Sequence, residues 1–361
     1  MNYIYKETEL YNLKDQEKEA YIDYSDQIQR AYFFKEILRT REHIAKNMEI
    51  IPSQTSFVRN ILVWDGINIV GNGEFYFSNS EDEKNPELCE VFITIHPNYT
   101  RQGIATEILR RCIGLADKYN KTKMEIFANN YVVGGKITEI IAKLGLKFVG
   151  EDKSNALHRN NINHQLLKDR IPELQEKLKE YKLVKFTRKE YLEKILGDDK
   201  FRIELADFRT EVLNLIPKEE SSFNDRVITP QDLFMRATTE LTQPYDGTHF
   251  LLFNGNEIIG FTGTYYPKNN VRGVNTGLTG VRKRYQRKGI GMYLKLLMVE
   301  HYLNYDDFQL IITENAQSNA GMLKINYDIG FRHEFSWLGH EGEIESVKNY
   351  LHSKSLLLTE N

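Results

Sequence analysis

Cysteine is nearly missing from this chain: Cys89 and Cys112 are its whole supply, and both lie in the first half. Two such thiols make neither a disulfide framework nor a metal-ligand cluster, so buried free thiols are the simpler reading. Long apolar runs are missing too. No stretch has the length that crosses a bilayer, and Met1-Asn2-Tyr3-Ile4-Tyr5-Lys6-Glu7 lacks the apolar core of a signal peptide. The expectation is a cytoplasmic protein with no membrane partner. Charge of one sign is not in excess either: the formal net charge is −3, which gives no global pull toward nucleic acid. The 9 histidines are scattered and show no His-x-x-x-His spacing, so no metal site is expected.

What is present is a globular composition, 41% hydrophobic and 27% charged, in 361 residues, enough for two domains with a core each. The most informative stretch runs from Thr276 to Phe331. An apolar, Gly-containing segment, Thr276 to Val281, leads into Arg282-Lys283-Arg284-Tyr285-Gln286-Arg287-Lys288-Gly289-Ile290-Gly291. Ile290, Tyr293, Leu294, Leu297 and His301 then recur at helical spacing, which reads as strand, turn, amphipathic helix. The first N–H groups of such a helix have no intrahelical partner, and Gly289 and Gly291 let an anion come close to them. The cations of the turn surround the same place. A cationic loop is commonly only solvated surface; its position before a Gly-bearing helix start favours an anion site. A dinucleotide fingerprint would need a further glycine at position 294, which is Leu.

The spacing Gln286-x-x-Gly289-x-Gly291 resembles the GNAT acyltransferase superfamily, in which this turn cradles the pyrophosphate of acetyl-coenzyme A. Downstream, Ile311-Ile312-Thr313-Glu314-Asn315 reads as the next strand. Asn319, Met322, Leu323, Asn326 and Ile329-Gly330-Phe331 resemble the family's following helix and strand entry. The resemblance implies that Thr279, Gly280, Val281, Gln286, Arg287, Lys288, Gly289, Ile290, Gly291, Met292, Asn315, Asn319 and Met322 hold acetyl-CoA. It also implies direct attack by an acceptor amine within a ternary complex. The thiolate's proton commonly comes from a tyrosine at the position of Asn326 here; Asn326 and the adjacent Tyr327 are therefore the catalytic candidates.

The pattern occurs twice. Glu90 to Ile95 reads as a strand, followed by His96 to Ala105 and a helix with Ile108, Leu109, Cys112 and Leu115 on one face. The spacing from Gly103 to Gly289 matches that from Gly145 to Gly330 to within one residue, which marks an internal repeat. The first copy is eroded: Thr100 stands for Gln286, Ala105 for Gly291, Gly134 for Asn319 and Ile137 for Met322. Ile93, Ile95, Arg101, Gln102, Gly103, Ile104 and Ala105 form a possible second cofactor site, with catalysis expected only in the second copy.

The expected fold class is α/β, as two tandem GNAT folds, each a mixed, mostly antiparallel sheet flanked by helices. Residues 1–160 form the degenerate first domain, 161–182 a helical connector with a leucine edge and a fresh helix at Pro172, and 183–361 the catalytic domain. Asp65-Gly66 and Asn254-Gly255 mark hairpins. The polar run Lys218 to Arg226 reads as a loop, either solvated or walling the acceptor site, and Tyr265 and Tyr266 face either the acceptor or the core. Tandem copies with the better motif in the second half resemble the mycothiol-synthase-like branch of the superfamily. The function implied is acetyl-CoA-dependent N-acetyl transfer to a small-molecule or peptide amine by a monomer or homodimer. A silent acyl-CoA-binding module is the alternative, and the absence of a basic helical face argues against a nucleic-acid binder.

Overall fold

A computed structural model of the chain describes residues 3–50, 56–78, 85–129, 136–217 and 227–359. The first repeat runs β1 (Ile4–Thr8), α1 (Asp15–Tyr32), α2 (Arg41–Met48), β2 (Ser56–Asp65), β3 (Asn68–Ser78), β4 (Leu88–Ile95), α3 (Ile104–Lys118), β5 (Lys123–Asn129), α4 (Lys136–Lys143) and β6 (Lys147–His158). After α5 (His164–Lys177) the second repeat runs β7 (Lys182–Thr187), α6 (Arg188–Gly197), α7 (Asp199–Asn214), α8 (Pro230–Thr242), the short β8 (Tyr245–Asp246), β9 (Thr248–Asn254), β10 (Glu257–Pro267), β11 (Gly273–Val281), α9 (Ile290–Leu303), β12 (Leu310–Ala316), α10 (Ala320–Ile329), β13 (Arg332–Glu343) and α11 (Ile344–Thr359).

These elements make two compact units. Among the described residues, one takes 3–151 and 335–359 and the other takes 152–217 and 227–334. The sheet of the first unit has the order β1-β2-β3-β4-β5-β13, and that of the second β7-β9-β10-β11-β12-β6, with β8 beside β10. In each, three antiparallel pairings are followed by one parallel and one antiparallel. The last strand of each repeat therefore completes the other repeat's sheet. β6 pairs with β12 from Leu310↔His158 to Ala316↔Asp152, and β13 pairs with β5 from Trp337↔Asn129 to Glu343↔Lys123. The compact units and the sequence halves coincide except at these terminal strands and α11.

Each core is built around the helix that follows the first strand of the parallel pair. In the first unit Ile104, Ile108, Leu109, Cys112 and Leu115 of α3 are buried with Phe75, Val91 and Met124. Ile344, Val347 and Leu351 of α11 join the same core. Both cysteines are free and buried, and burial pushes the Cys89 thiol up to about 12. In the second unit Ile290, Tyr293, Leu294 and Leu296 of α9 lie against Phe250, Ile259, Val274 and Ile311. The leucine edge of α5 (Leu167, Leu174, Leu178) is buried in this core. The fresh helix start at Pro172 is not found: α5 begins at His164, capped by Asn163, and runs through Pro172. Burial of Ile171 and Leu174 on either side holds the helix across the missing N–H. Both hairpin turns have glycine in the left-handed region, Gly66 at φ 61° and Gly255 at φ 59°. No helix among the described residues is long and apolar enough to cross a membrane.

Candidate functional site

The parallel pair at the middle of the second sheet opens. β11 and β12 pair only at Gly273↔Leu310, Val274↔Ile311 and Asn275↔Ile312. Beyond that, β11 stays on β10 as far as Gly260↔Val281, while β12 stays on β6 as far as Ala316↔Asp152. A wedge lined by main chain results, with residues 276–281 partly exposed in mid-sheet. Its β11 wall is bulged. Thr262 pairs with Thr279 and Thr264 with Thr276, so Gly277 and Leu278 together face Gly263. The extra residue interrupts the even ladder beside the wedge. Glycine is required close by: a Cβ on Gly280 would lie 2.9 Å from Val212 of α7. Thr279 is fixed by its hydroxyl contact with Thr262 at 2.8 Å.

The turn after β11 delivers the start of α9 to the mouth of this wedge. Arg287 has φ 61° and Gly289, the N-cap, φ 96°. Gln286 donates its amide to the Val281 carbonyl at 3.2 Å, so it shapes the turn. Lys288 reaches the Tyr181 hydroxyl at 3.4 Å and lies 5.0 Å from the Tyr285 ring centroid. Gly289 has a packing reason for its identity, since a Cβ there would meet Leu174 at 2.6 Å. Gly291 faces the other way: its Cβ would make ordinary contacts with Ile325 of α10 at 3.5 Å and Val281 at 3.7 Å. Ile290 is buried and Met292 packs at the edge of the core.

Two of the turn's cations are already neutralised. Arg282 is 5% exposed and bonds Glu211 at 2.7 Å and Glu204 and Asp207 at 2.8 Å, while Arg284 pairs with Glu257. Lys283, Arg287 and Lys288 have no carboxylate partner among the described residues. On α10, Asn319 is an N-cap that accepts from the Met322 N–H at 3.3 Å, with Met322 partly exposed. Asn326 is fully buried and donates to Asn315 on β12 at 2.7 Å; its Oδ1 has no partner. Tyr327 is 38% exposed, off the line of Asn326 and Asn315. Tyr266 packs on Tyr302 in the core, whereas Tyr265 is exposed on the opposite face.

The first unit repeats the turn but not the strand. Arg101 at φ 61° and Gly103 at φ 80° reproduce the backbone, and Ala105 is exposed just beyond the buried Ile104. Gln102 accepts from Tyr3 and donates to the Asn98 carbonyl at 3.3 Å. β4 and β5 part after Val91↔Ile126, but β3 and β4 run without a slip from Gly71↔Ile95 to Tyr76↔Glu90. Ile93 and Ile95 pack on the core. Phe92 and Phe127, the first residues past the last pair, stack across the opening with centroids 5.4 Å apart. Gly134, the side chain of Ile137 and the 218–226 loop lie outside what the structure describes.

The chain thus holds two copies of a four-plus-two mixed sheet, each opened at its parallel pair before a glycine-capped helix. The Acetyltransferase (GNAT) family model matches residues 11–133. This is a tandem GNAT fold. Among solved structures, a tandem GNAT protein from the clavulanic acid biosynthesis pathway is similar over 95% of this chain and 98% of that one, with TM-score 0.73 and 16% identity. A GCN5-related N-acetyltransferase from Sphaerobacter thermophilus is similar over 95% and 96%, with TM-score 0.58 and 13% identity. A putative acetyltransferase from Pyrococcus horikoshii gives 94% and 89%, with TM-score 0.54 and 12% identity. At such identities the likeness is one of fold. No curated protein sequence matches. The family match falls on the GNAT copy with the eroded turn, while the strand bulge belongs to the other. Sequence reasoning missed that bulge; its one signal is glycine at 263, 277 and 280 in strands otherwise rich in threonine and aromatic residues.

Proposed function

We propose that the second unit transfers an acetyl group from acetyl-CoA to an amine acceptor, by direct attack with both substrates bound. The observation that carries this reading is the bulge at Gly277 and Leu278 beside the opened strands, found in this copy alone. Acetyl-CoA supplies the activated acyl group as a thioester. The N–H groups at the start of α9, from Gly289 to Gly291, suit its pyrophosphate, with Arg287 and Lys288 adding charge. The main chain from Gly277 to Val281 suits its arm and offers N–H donors to the acyl oxygen, where negative charge grows during attack. Asn326 is an amide and gives up no proton; its buried, unpartnered Oδ1 is instead an acceptor for a donor on that arm. This makes Asn326 a holding group and leaves Tyr327, on the exposed side of α10, without a role.

The missing acid favours a second reading, a silent acyl-CoA-binding module. Acetyl transfer to an amine panel separates the two, with a matched pair of variants locating the site. Gly291→Glu and Ala105→Glu each put a carboxylate in the first turn of a helix, where it suits the macrodipole and leaves folding intact. Near a pyrophosphate it costs several kcal/mol, so Gly291→Glu is expected to weaken acetyl-CoA binding on the order of a hundredfold or more. Ala105→Glu is expected to change turnover less than about threefold. Loss of transfer in the Ala105 variant alone would move the active site to the first unit, and binding without transfer in the parent protein would support the silent module.

A further inference from the structure

Behind the bulge, on the face of the second sheet away from α9, lies a polar group that acyl transfer leaves unused. His249 of β9 is the register partner of Gly263, the residue facing the bulge. Its Cδ2 lies 2.7 Å from where a Cβ on Gly263 would be, so the imidazole leans across the glycine. Tyr191 of α6 stacks on this ring, with centroids 4.1 Å apart and planes within 12°. Arg209 of α7 donates to the Tyr191 hydroxyl at 3.1 Å, and its guanidinium lies 5.7 Å from the Phe261 ring centroid.

Arg209 is under-used. Its Nε is buried with no acceptor, and no carboxylate pairs with it among the described residues. The neighbouring cations are committed, since Arg188 and Arg236 share Glu240 at 3.3 and 2.5 Å. Nδ1 of His249 is also buried without a partner. Burial first, then the charges of Arg209 and Arg188, hold this histidine's pKa down at about 3, so it stays neutral and answers a ligand with a hydrogen bond only. A guanidinium keeps its charge at any working pH, and one held half-buried with an unanswered donor is costly until an anion arrives. Its planar fork suits a carboxylate or phosphate.

We infer that Arg209 recognises an anionic group on the acceptor, which is therefore an amine that also carries a carboxylate or a phosphate. The anion sits on Arg209 beside Tyr191 and His249, and the amine reaches the bulged strand. This rests on the acyl-transfer reading of the second unit. The test compares β-alanine with propylamine and O-phosphoethanolamine with ethanolamine, in acetyl-CoA turnover and in thermal shift with coenzyme A present, for the parent protein, Arg209→Gln and Arg209→Lys. The expected result is preference for the anionic member of one pair, the pair that wins naming carboxylate or phosphate. Arg209→Gln should raise the KM of that amine roughly thirtyfold, the loss of a charge-assisted bond, with the KM of acetyl-CoA within twofold. Arg209→Lys should recover part of it. A thermal shift by an anionic amine that vanishes in Arg209→Gln, without turnover, supports the recognition and defeats only the catalytic reading. Preference for neutral amines overturns the inference. So does a lower melting temperature in Arg209→Gln with unchanged KM, the sign of an internal partner, and so does the absence of both turnover and shift with anionic amines.

Discussion

Lys295 puts an ammonium where the fold gives it almost nothing. Its side chain on α9 is 1% exposed, its one hydrogen bond goes to the Thr313 hydroxyl at 3.3 Å, and burial takes its pKa from 10.5 down to about 7. The folded state thus releases this proton before the unfolded chain does. Between about pH 7 and 10.5 the unfolded chain binds more protons, so stability rises with pH, by about 1.4 kcal/mol per unit from this group. Below pH 7 that contribution is gone. Lys295→Met, close in length and shape, should be more stable than the parent at pH 7, with the difference shrinking as pH climbs toward 10. Urea unfolding across that range checks it; a constant difference would mean that Lys295 is not neutral when buried. At this scale the sequence was legible where the reason is local. Gly289 was readable as a helix start that lets an anion come close, but its other constraint, Leu174 at 2.6 Å, comes from a helix more than a hundred residues earlier in the chain, and spacing within a motif carries no such information.

Strands and helices were legible from periodicity where one face is buried, as in α3; α9, expected to be amphipathic, is instead buried at four consecutive positions, Tyr293 to Leu296, because α5 as well as the sheet packs on it. The bulge was not legible, because it exists only in the pairing of two strands: Gly277 and Leu278 form one by both facing Gly263. The prediction at this scale concerns that extra residue. Deleting Gly277 restores an even ladder like that between β3 and β4, and should lower kcat on the order of a hundredfold, the usual cost of removing a preorganised donor. Acetyl-CoA affinity, which draws on the α9 turn, should change little. Turnover together with equilibrium binding makes the comparison, and equal loss of both would show that the bulge serves the fold. The carboxylates around Arg282 were out of reach for the same reason. Glu204, Asp207 and Glu211 lie on α7 and Glu257 at the start of β10, so only packing reveals that the most buried cation of the turn is a strut.

For the whole molecule, duplication was readable from recurring glycines, while the exchange of terminal strands was not, because repeat spacing records order along the chain and not pairing across it. The exchange predicts an outcome opposite to that of two independent halves. Truncation after residue 334 removes most of β13 and all of α11, and with them Ile344, Val347 and Leu351 from the first unit's core. Three buried aliphatic side chains contribute on the order of 6 kcal/mol, comparable with the stability of a domain. Hydrogen exchange on the truncated chain should therefore show lost protection in 3–151 and kept protection in α9 and β12, although the missing residues belong to the second repeat. Protection lost in the second unit instead would refute the exchange.

The same exchange fixes a timetable for the nascent chain. On the ribosome the first unit begins to emerge early, yet its β5 edge stays uncovered until residues 335–359 follow everything else. The second unit has all its strands once residue 316 is out, β6 having been waiting since before α5 was made. The unit started first is finished last, and for most of translation it carries an open strand edge that must be kept from pairing with a neighbouring chain.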